Sequence, residues 1–107
     1  MNQQELNHIV ESSVDEIAKT LIAKGEEYAD TGGDRLENFK QIAALQHTTP
    51  ERALLRLVGK HIVALYDFAR REEAGELTFA QQWREKTGDI MAYMVLLRAL
   101  RAERDAG

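Results

Sequence analysis

The sequence predicts an all-α fold, a helical bundle of three long helices and one short helix in a single domain spanning residues 1–107. Apolar residues recur at three- and four-residue spacing along most of the chain, which is the period of an amphipathic helix. No stretch alternates apolar and polar residues over the length of a strand. A chain of 107 residues is also long enough to bury one hydrophobic core.

The first half of the chain predicts one long and one short helix. Residues 3–29 form the first, because its apolar positions share one face: Leu6, Ile9, Val10, Val14, Ile17, Leu21 and Ile22. The pair Gly32-Gly33 then interrupts the helical pattern. We expect Asp34 to cap a short second helix that ends near Leu45.

The second half predicts two long helices with clear boundaries. Thr49 is a good N-cap, and Pro50 suits the first helical position of the third helix, since a proline lacks the N–H that would be unpaired there. Gly75 marks the end of that helix. Thr78 and Gln81 fit a capping box, which predicts that the fourth helix begins at Thr78 and runs to about Arg104.

Composition excludes several classes of function. The chain has no cysteine, so it contains no disulfide, no thiolate metal site and no cysteine nucleophile. The formal net charge of −4 argues against nucleic acid as a partner. The apolar run from Ile90 to Leu97 is too short to cross a bilayer, so we expect no membrane association. The absence of cysteine and of a visible signal peptide suits a cytoplasmic location, which we therefore expect.

Asp89 is the most unusual residue of the fourth helix, because helical spacing places it within the apolar sector between Trp83 and Leu100. Ionised carboxylates are almost never fully buried without a partner. Asp89 is therefore paired, bound to a cation or at the rim of a cleft. We expect it to be mostly out of solvent and to contact Lys60, Lys86 or His61.

Glu85 lies one turn before Asp89, so the two carboxylates share a helix face. Such a pair can bind one Mg²⁺ together with water and substrate phosphates, and Glu26 and Glu27 are candidates for further ligands. The alternative is that Glu85 is solvated and that Asp89 pairs with a lysine.

Other residues are candidates for contacts with a nucleotide. Lys60 can face Asp89 or meet a phosphate as a point charge. His61 lies in the apolar stripe of the third helix, where it is either a ligand-binding group or a hydrogen-bonded core residue. Tyr28 and Phe39 can stack on a base or close the core.

Four segments carry a resemblance to a known group of proteins: KGEEYAD, ENFKQIAAL, TPERALLRLVGKHIVAL and EKTGDIMAYMVLL, in this order. Together they resemble small, mostly phage-encoded helical proteins that are similar in turn to the MazG-like, all-α nucleoside triphosphate pyrophosphatases. The resemblance covers roughly residues 24–98, and Asn38-Phe39, Lys60 and Asp89 with Tyr93 are its most specific parts.

The resemblance implies a MazG-like bundle in the cytoplasm of a bacterium or of a phage-infected host. It implies that Lys60 and Asp89 line a cleft between helices. In the pyrophosphatases, acids from two adjacent helices hold Mg²⁺ and the α–β phosphate bond of a nucleotide is hydrolysed. The chain departs from their pattern, because it has Lys60 where an acid cluster is wanted and Lys86 three residues before Asp89.

Two functions follow as hypotheses. In the first, the chain binds a nucleotide and hydrolyses (d)NTPs with Mg²⁺, with Lys60 and Lys86 on phosphate and Asp89 and Glu85 as catalytic or metal-binding acids. Asn38, Tyr28, Phe39 and His61 complete this substrate site. In the second, it is a non-catalytic interaction or accessory protein with a structural Asp89–Lys60 pair.

The fourth helix also predicts a homo-oligomer. Ile90, Met94 and Leu97 form one apolar side, and Met91 and Val95 lie well round from them. A short chain has few helices to cover both sides, and a two-fold dimer is the commonest arrangement. We expect a homodimer with the fourth or the first helix in the interface.

Overall fold

The computed structural model describes residues 1–29 and 33–107, with residues 24–29 described by their backbone alone. Four helices follow one another: α1 (Gln3–Ala29), α2 (Glu37–Leu45), α3 (Pro50–Glu73) and α4 (Ala80–Ala106). These described residues contain no strand, so the all-α class with three long helices and one short helix is confirmed. They form two compact units, Met1–Arg35 and Leu36–Gly107.

The first unit is built on α1, which spans the residues predicted for the first helix. Its apolar face remains open to solvent at Leu6, Ile9, Val10, Val14 and Ile22. The polar face carries an ion pair of 3.0 Å between Lys19 and Asp15. Arg35 belongs to the same unit and donates a hydrogen bond of 3.0 Å to the carbonyl oxygen of Leu21.

Helix α2 begins at Glu37 with Leu36 at its N-cap and no side-chain cap, so the expected cap at Asp34 is wrong. The burial of Leu36 in the core explains this start, since its carbonyl oxygen then accepts from the N–H groups of Phe39 and Lys40. The helix ends at Leu45, and His47 in the following turn has a φ of +54°. This left-handed residue closes a Schellman motif, in which the N–H of Thr48 donates to the carbonyl of Ala43 at 2.9 Å.

Helix α3 has the boundaries that the sequence predicts. Thr49 accepts a hydrogen bond of 3.2 Å from the N–H of Arg52, and Pro50 occupies the first turn. At the other end Gly75 has a φ of +84°, a conformation that glycine adopts without steric cost. The N–H of Glu76 then donates to the carbonyl of Arg71 at 2.9 Å, which completes a second Schellman motif.

Helix α4 begins at Ala80 with Phe79 at the N-cap, so the predicted capping box at Thr78 and Gln81 is wrong. The Thr78 hydroxyl makes tertiary contacts instead. It donates to a carboxylate oxygen of Glu72 and accepts a hydrogen bond of 2.9 Å from the indole N–H of Trp83. These contacts join the end of α3 to the first turn of α4.

The core of the second unit lies where α2, α3 and the C-terminal half of α4 meet. Its central buried side chains are Leu36, Phe39, Leu54, Val58 and Leu100. Helices α3 and α4 run antiparallel, because Phe68 contacts Trp83 near their connection while Glu51 pairs with Arg101 and Arg104 at the far end. Within the described ranges, no helix has both the length and the apolar character needed to cross a membrane.

Candidate functional site

Four side chains from three helices form a cluster beside the core of the second unit, here named the His61 cluster: Phe39, His61, Asp89 and Tyr93. Nδ1 of His61 lies 3.6 Å from Oδ2 of Asp89. The rings of His61 and Tyr93 are tilted against each other with centroids 5.5 Å apart. Tyr93 also contacts Phe39 edge to face at 6.4 Å.

Helical spacing explains why these residues meet. His61 lies three residues after Val58 and seven before Phe68, both of which are buried, so it shares their face of α3. Asp89 lies four residues before Tyr93 and therefore shares a face of α4 with it. The antiparallel packing of the two helices brings these faces together at the middle of α3.

Asp89 is less buried than the sequence predicts. Its side chain is 53% exposed, so the expectation that it is mostly out of solvent is wrong, whereas its predicted contact with His61 is confirmed. The apolar sector of α4 fixes the direction in which Asp89 points but not how far a neighbouring helix covers it. Asp89 is therefore an acid at the rim of the α3–α4 contact.

His61 is only 19% exposed, and its Nδ1 is buried without a hydrogen-bond partner. The 3.6 Å separation from Asp89 is too long for a hydrogen bond. Most buried polar atoms in proteins are hydrogen-bonded, and an unsatisfied one calls for an explanation such as a functional role. This nitrogen and the open carboxylate of Asp89 together present unused polar atoms at one place.

Two lysines accompany the cluster. Lys60 is exposed and Lys86 is half-buried, and within the described part of the chain neither makes an ion pair. The predicted Asp89–Lys60 pair is therefore wrong. Lys60 precedes His61 by one residue, so it is turned by about 100° from the direction in which His61 meets Asp89.

Glu85 lies one turn before Asp89 and is exposed. It accepts a hydrogen bond of 3.1 Å from the side-chain amide of Gln81. Among the described residues, no group of three or more histidine and acidic side chains is placed to hold a metal ion. The other predicted metal ligands, Glu26 and Glu27, lie outside the described side chains, as does Tyr28.

The two remaining predicted contacts differ in burial. Asn38 is exposed, while Phe39 is buried in the core against Tyr93. Of the two alternatives for Phe39, the structure therefore favours the core. Tyr93 is the aromatic residue that reaches the site, and its position one turn after Asp89 is the sequence signal for it.

A second group of charged side chains lies at the far end of the unit, and sequence reasoning missed it. Glu51, only 17% exposed, accepts from Arg101 at 3.2 Å and from Arg104 at 2.9 Å. The C-terminal arginines look like a solvated helix end when read from spacing alone. Their partner lies about fifty residues earlier, so no local pattern reveals the contact.

The sequence matches no protein-family model, and comparisons with curated proteins and with solved structures find no match either.

Proposed function

We propose that the chain binds a nucleotide at the His61 cluster, with the phosphates on Lys60 and Lys86. The observation that carries the proposal is the contact between Asp89 and His61, in which the carboxylate is half-exposed and the Nδ1 atom has no hydrogen bond. Their 3.6 Å separation is too long for a hydrogen bond, so the contact contributes little to the stability of the fold. The Asp89 carboxylate is accessible to a ligand at this rim, and the Nδ1 atom of His61, which is itself buried, lies 3.6 Å from it.

The two lysines support a phosphate-bearing ligand. A lysine without an ion pair retains its full charge and three donors for a phosphate. Lys60 adjoins His61 in the chain and Lys86 is three residues before Asp89, so each lysine lies within one helical turn of a residue of the cluster. The Tyr93 ring lies against His61 and supplies an aromatic surface near them.

Hydrolysis of a (d)NTP is the reaction that this arrangement suits. Asp89 and Glu85 supply two carboxylates one turn apart, and Mg²⁺ is commonly bound by one or two carboxylates together with substrate phosphates and water. The described side chains fit an ion that arrives with the nucleotide rather than one held by the protein alone. Cleavage between the α and β phosphates would release a nucleoside monophosphate and pyrophosphate, as the resemblance to the MazG-like enzymes implies.

A second candidate function is that of a non-catalytic interaction protein. The exposed apolar face of α1 favours it, since large apolar patches on soluble proteins often mark interaction surfaces. This candidate no longer includes a structural Asp89–Lys60 pair. It predicts that nucleotides neither bind nor turn over.

The test is a panel of dNTPs and NTPs with millimolar Mg²⁺, followed by thermal shift and by assay of monophosphate and pyrophosphate. Lys60→Ala and Lys86→Ala should each weaken nucleotide binding by roughly tenfold, the loss of one phosphate contact. Arg84→Ala is a matched control, because it removes one positive charge from an exposed position on another side of α4. No thermal shift with any nucleotide, or an equal loss in the Arg84 variant, would refute binding at the cluster.

Calorimetry distinguishes the binding of the nucleotide from the contribution of Mg²⁺. We expect Mg²⁺ alone to give no heat and Mg²⁺ with nucleotide to bind more tightly than nucleotide alone. Asp89→Asn should remove this Mg²⁺ effect while retaining part of the nucleotide affinity that the lysines supply. Binding without turnover would leave the chain a nucleotide-binding protein and exclude the hydrolase.

A further inference from the structure

Helix α3 has a second apolar face, which borders its core face and is exposed to solvent. The exposed large side chains are Leu55, Ile62, Val63 and Tyr66, and the last two are 63% and 66% exposed. Their spacing of three, four and seven residues places them on one side of the helix. The core face of the helix carries the buried Leu54, Val58 and Phe68, and Leu55 and Ile62 border it because they lie three residues before and four residues after Val58.

Gly59 lies in the middle of this exposed face. Glycine in a helix interior lowers helix stability relative to alanine, so its presence calls for a packing reason. The described part of the chain offers none, because a Cβ atom built at Gly59 would meet no heavy atom within 4 Å. A glycine between exposed large apolar residues suits the close approach of another helix.

The charges along α3 indicate which helix approaches this face. The first half of α3, residues 50–61, carries Arg52, Arg56 and Lys60, and its one acid, Glu51, already pairs with arginines of α4. The second half, residues 62–73, carries three acids and two arginines, but Asp67 pairs with Arg70 and Glu72 bonds with Thr78 and Trp83, so Glu73 is the acid without a partner among the described residues. A parallel copy of α3 would place like charges together. An antiparallel copy places the basic half of each helix alongside the half of the other that carries Glu73.

We propose that this face binds a second copy of the chain, with the two α3 helices antiparallel about a two-fold axis near Ile62 and Val63. The register that seats Tyr66 over the partner's Gly59 also places Ile62 against the partner's Val63. It brings Arg52 opposite the partner's Glu73, since paired positions lie equally far on either side of the axis. A single register therefore gives Gly59 a large side chain to pack against, pairs the apolar residues with one another and brings opposite charges together.

This dimer differs from the one expected from the sequence, which used the fourth or the first helix. It leaves the His61 cluster on another face of α3, so dimerisation and nucleotide binding are separate properties. If the chain does not form a dimer, the nucleotide-binding proposal is unaffected, and the reverse also holds.

The first experiment measures mass by sedimentation, with each variant's helix content checked by circular dichroism. The wild-type chain should show twice the 12.1 kDa of one chain at micromolar concentration. Gly59→Leu should fold normally, because space is open beside it, yet raise the dimer dissociation constant by roughly tenfold or more through overpacking. Gly88→Leu on α4 is the matched control, since a Cβ there also meets nothing, and it should leave the mass unchanged.

The second experiment locates the axis by oxidation, which the absence of natural cysteines makes simple. Val63→Cys should cross-link to itself, because a residue beside a two-fold axis faces its own copy at disulfide distance. Gln82→Cys, an exposed position on α4, should remain uncross-linked.

Three results would overturn the proposal. A mass of one chain would show that the α3 face does not bind a second copy. A dimer weakened by Gly88→Leu and not by Gly59→Leu would place the interface on α4. Equal cross-linking at positions 63 and 82 would show random collision instead of a defined axis.

Discussion

Replacing Asp89 by alanine separates a functional acid from a structural one. If Asp89 were a buried ion-pair partner, its loss would cost about 3–5 kcal/mol. The structure leaves its side chain 53% exposed at 3.6 Å from His61, and an exposed pair of this kind contributes about 1 kcal/mol or less. Alanine is also a better helix former than aspartate by about 0.5 kcal/mol. The two effects oppose each other, so the free energy of unfolding should change by less than about 0.5 kcal/mol.

Urea unfolding followed by the fluorescence of Trp83 measures this change, because the only tryptophan belongs to the same compact unit as Asp89. Glu51→Ala provides the comparison. Glu51 is 17% exposed and bonded to two arginines, so its loss should cost about 1–3 kcal/mol. The Asp89 variant should retain its stability and lose the effect of Mg²⁺ on nucleotide binding. A loss of more than about 2 kcal/mol at Asp89 would show that the acid is structural and refute its assignment to a site.

Two further predictions concern stability. Leu54→Ala should cost about 2–5 kcal/mol in urea unfolding, because Leu54 is fully buried at the centre of the core, whereas the exposed Leu55→Ala should cost less than about 1 kcal/mol in the monomer. Equal losses of unfolding free energy in the two variants would contradict the burial of Leu54 and the exposure of Leu55. His47→Gly should stabilise the chain by about 0.5–1 kcal/mol, since His47 has a φ of +54° that glycine adopts more readily. A lower thermal midpoint for this variant would mean that the imidazole makes a contact worth more than the backbone strain.

Helix boundaries set by local chemistry could be predicted from the sequence. Thr49 and Pro50 begin α3 and Gly75 ends it, because a cap, a fixed proline φ and a positive glycine φ depend on only a few adjacent residues. Thr78 shows where this reasoning stops. Its hydroxyl is a good cap in isolation, but Glu72 and Trp83 offer it tertiary partners, and α4 begins two residues later.

The candidate site could be predicted in part. Helical spacing indicates that Asp89 and His61 face the neighbouring helix, and their contact bears this out. Spacing cannot give the depth of burial, which depends on how far the neighbouring helices extend over the rim. The same limit applies to Lys60, which is exposed to solvent. It precedes His61 by one residue, and this step of about 100° around α3 turns its side chain away from the direction in which His61 contacts α4.

The ion pairs of Glu51 have a consequence for the order in which the second unit assembles. Phe68 and Trp83 are separated by a short connection, whereas Glu51 and Arg104 are more than fifty residues apart. Closing a longer loop costs more chain entropy, so contacts near the connection form more readily than those at the open ends. We therefore expect the α3–α4 pair to close from Trp83 towards Glu51. A bond that forms late is absent from the transition state for folding, so it acts chiefly by slowing unfolding. Glu51 would thus set how long the native state lasts more than how fast it is reached.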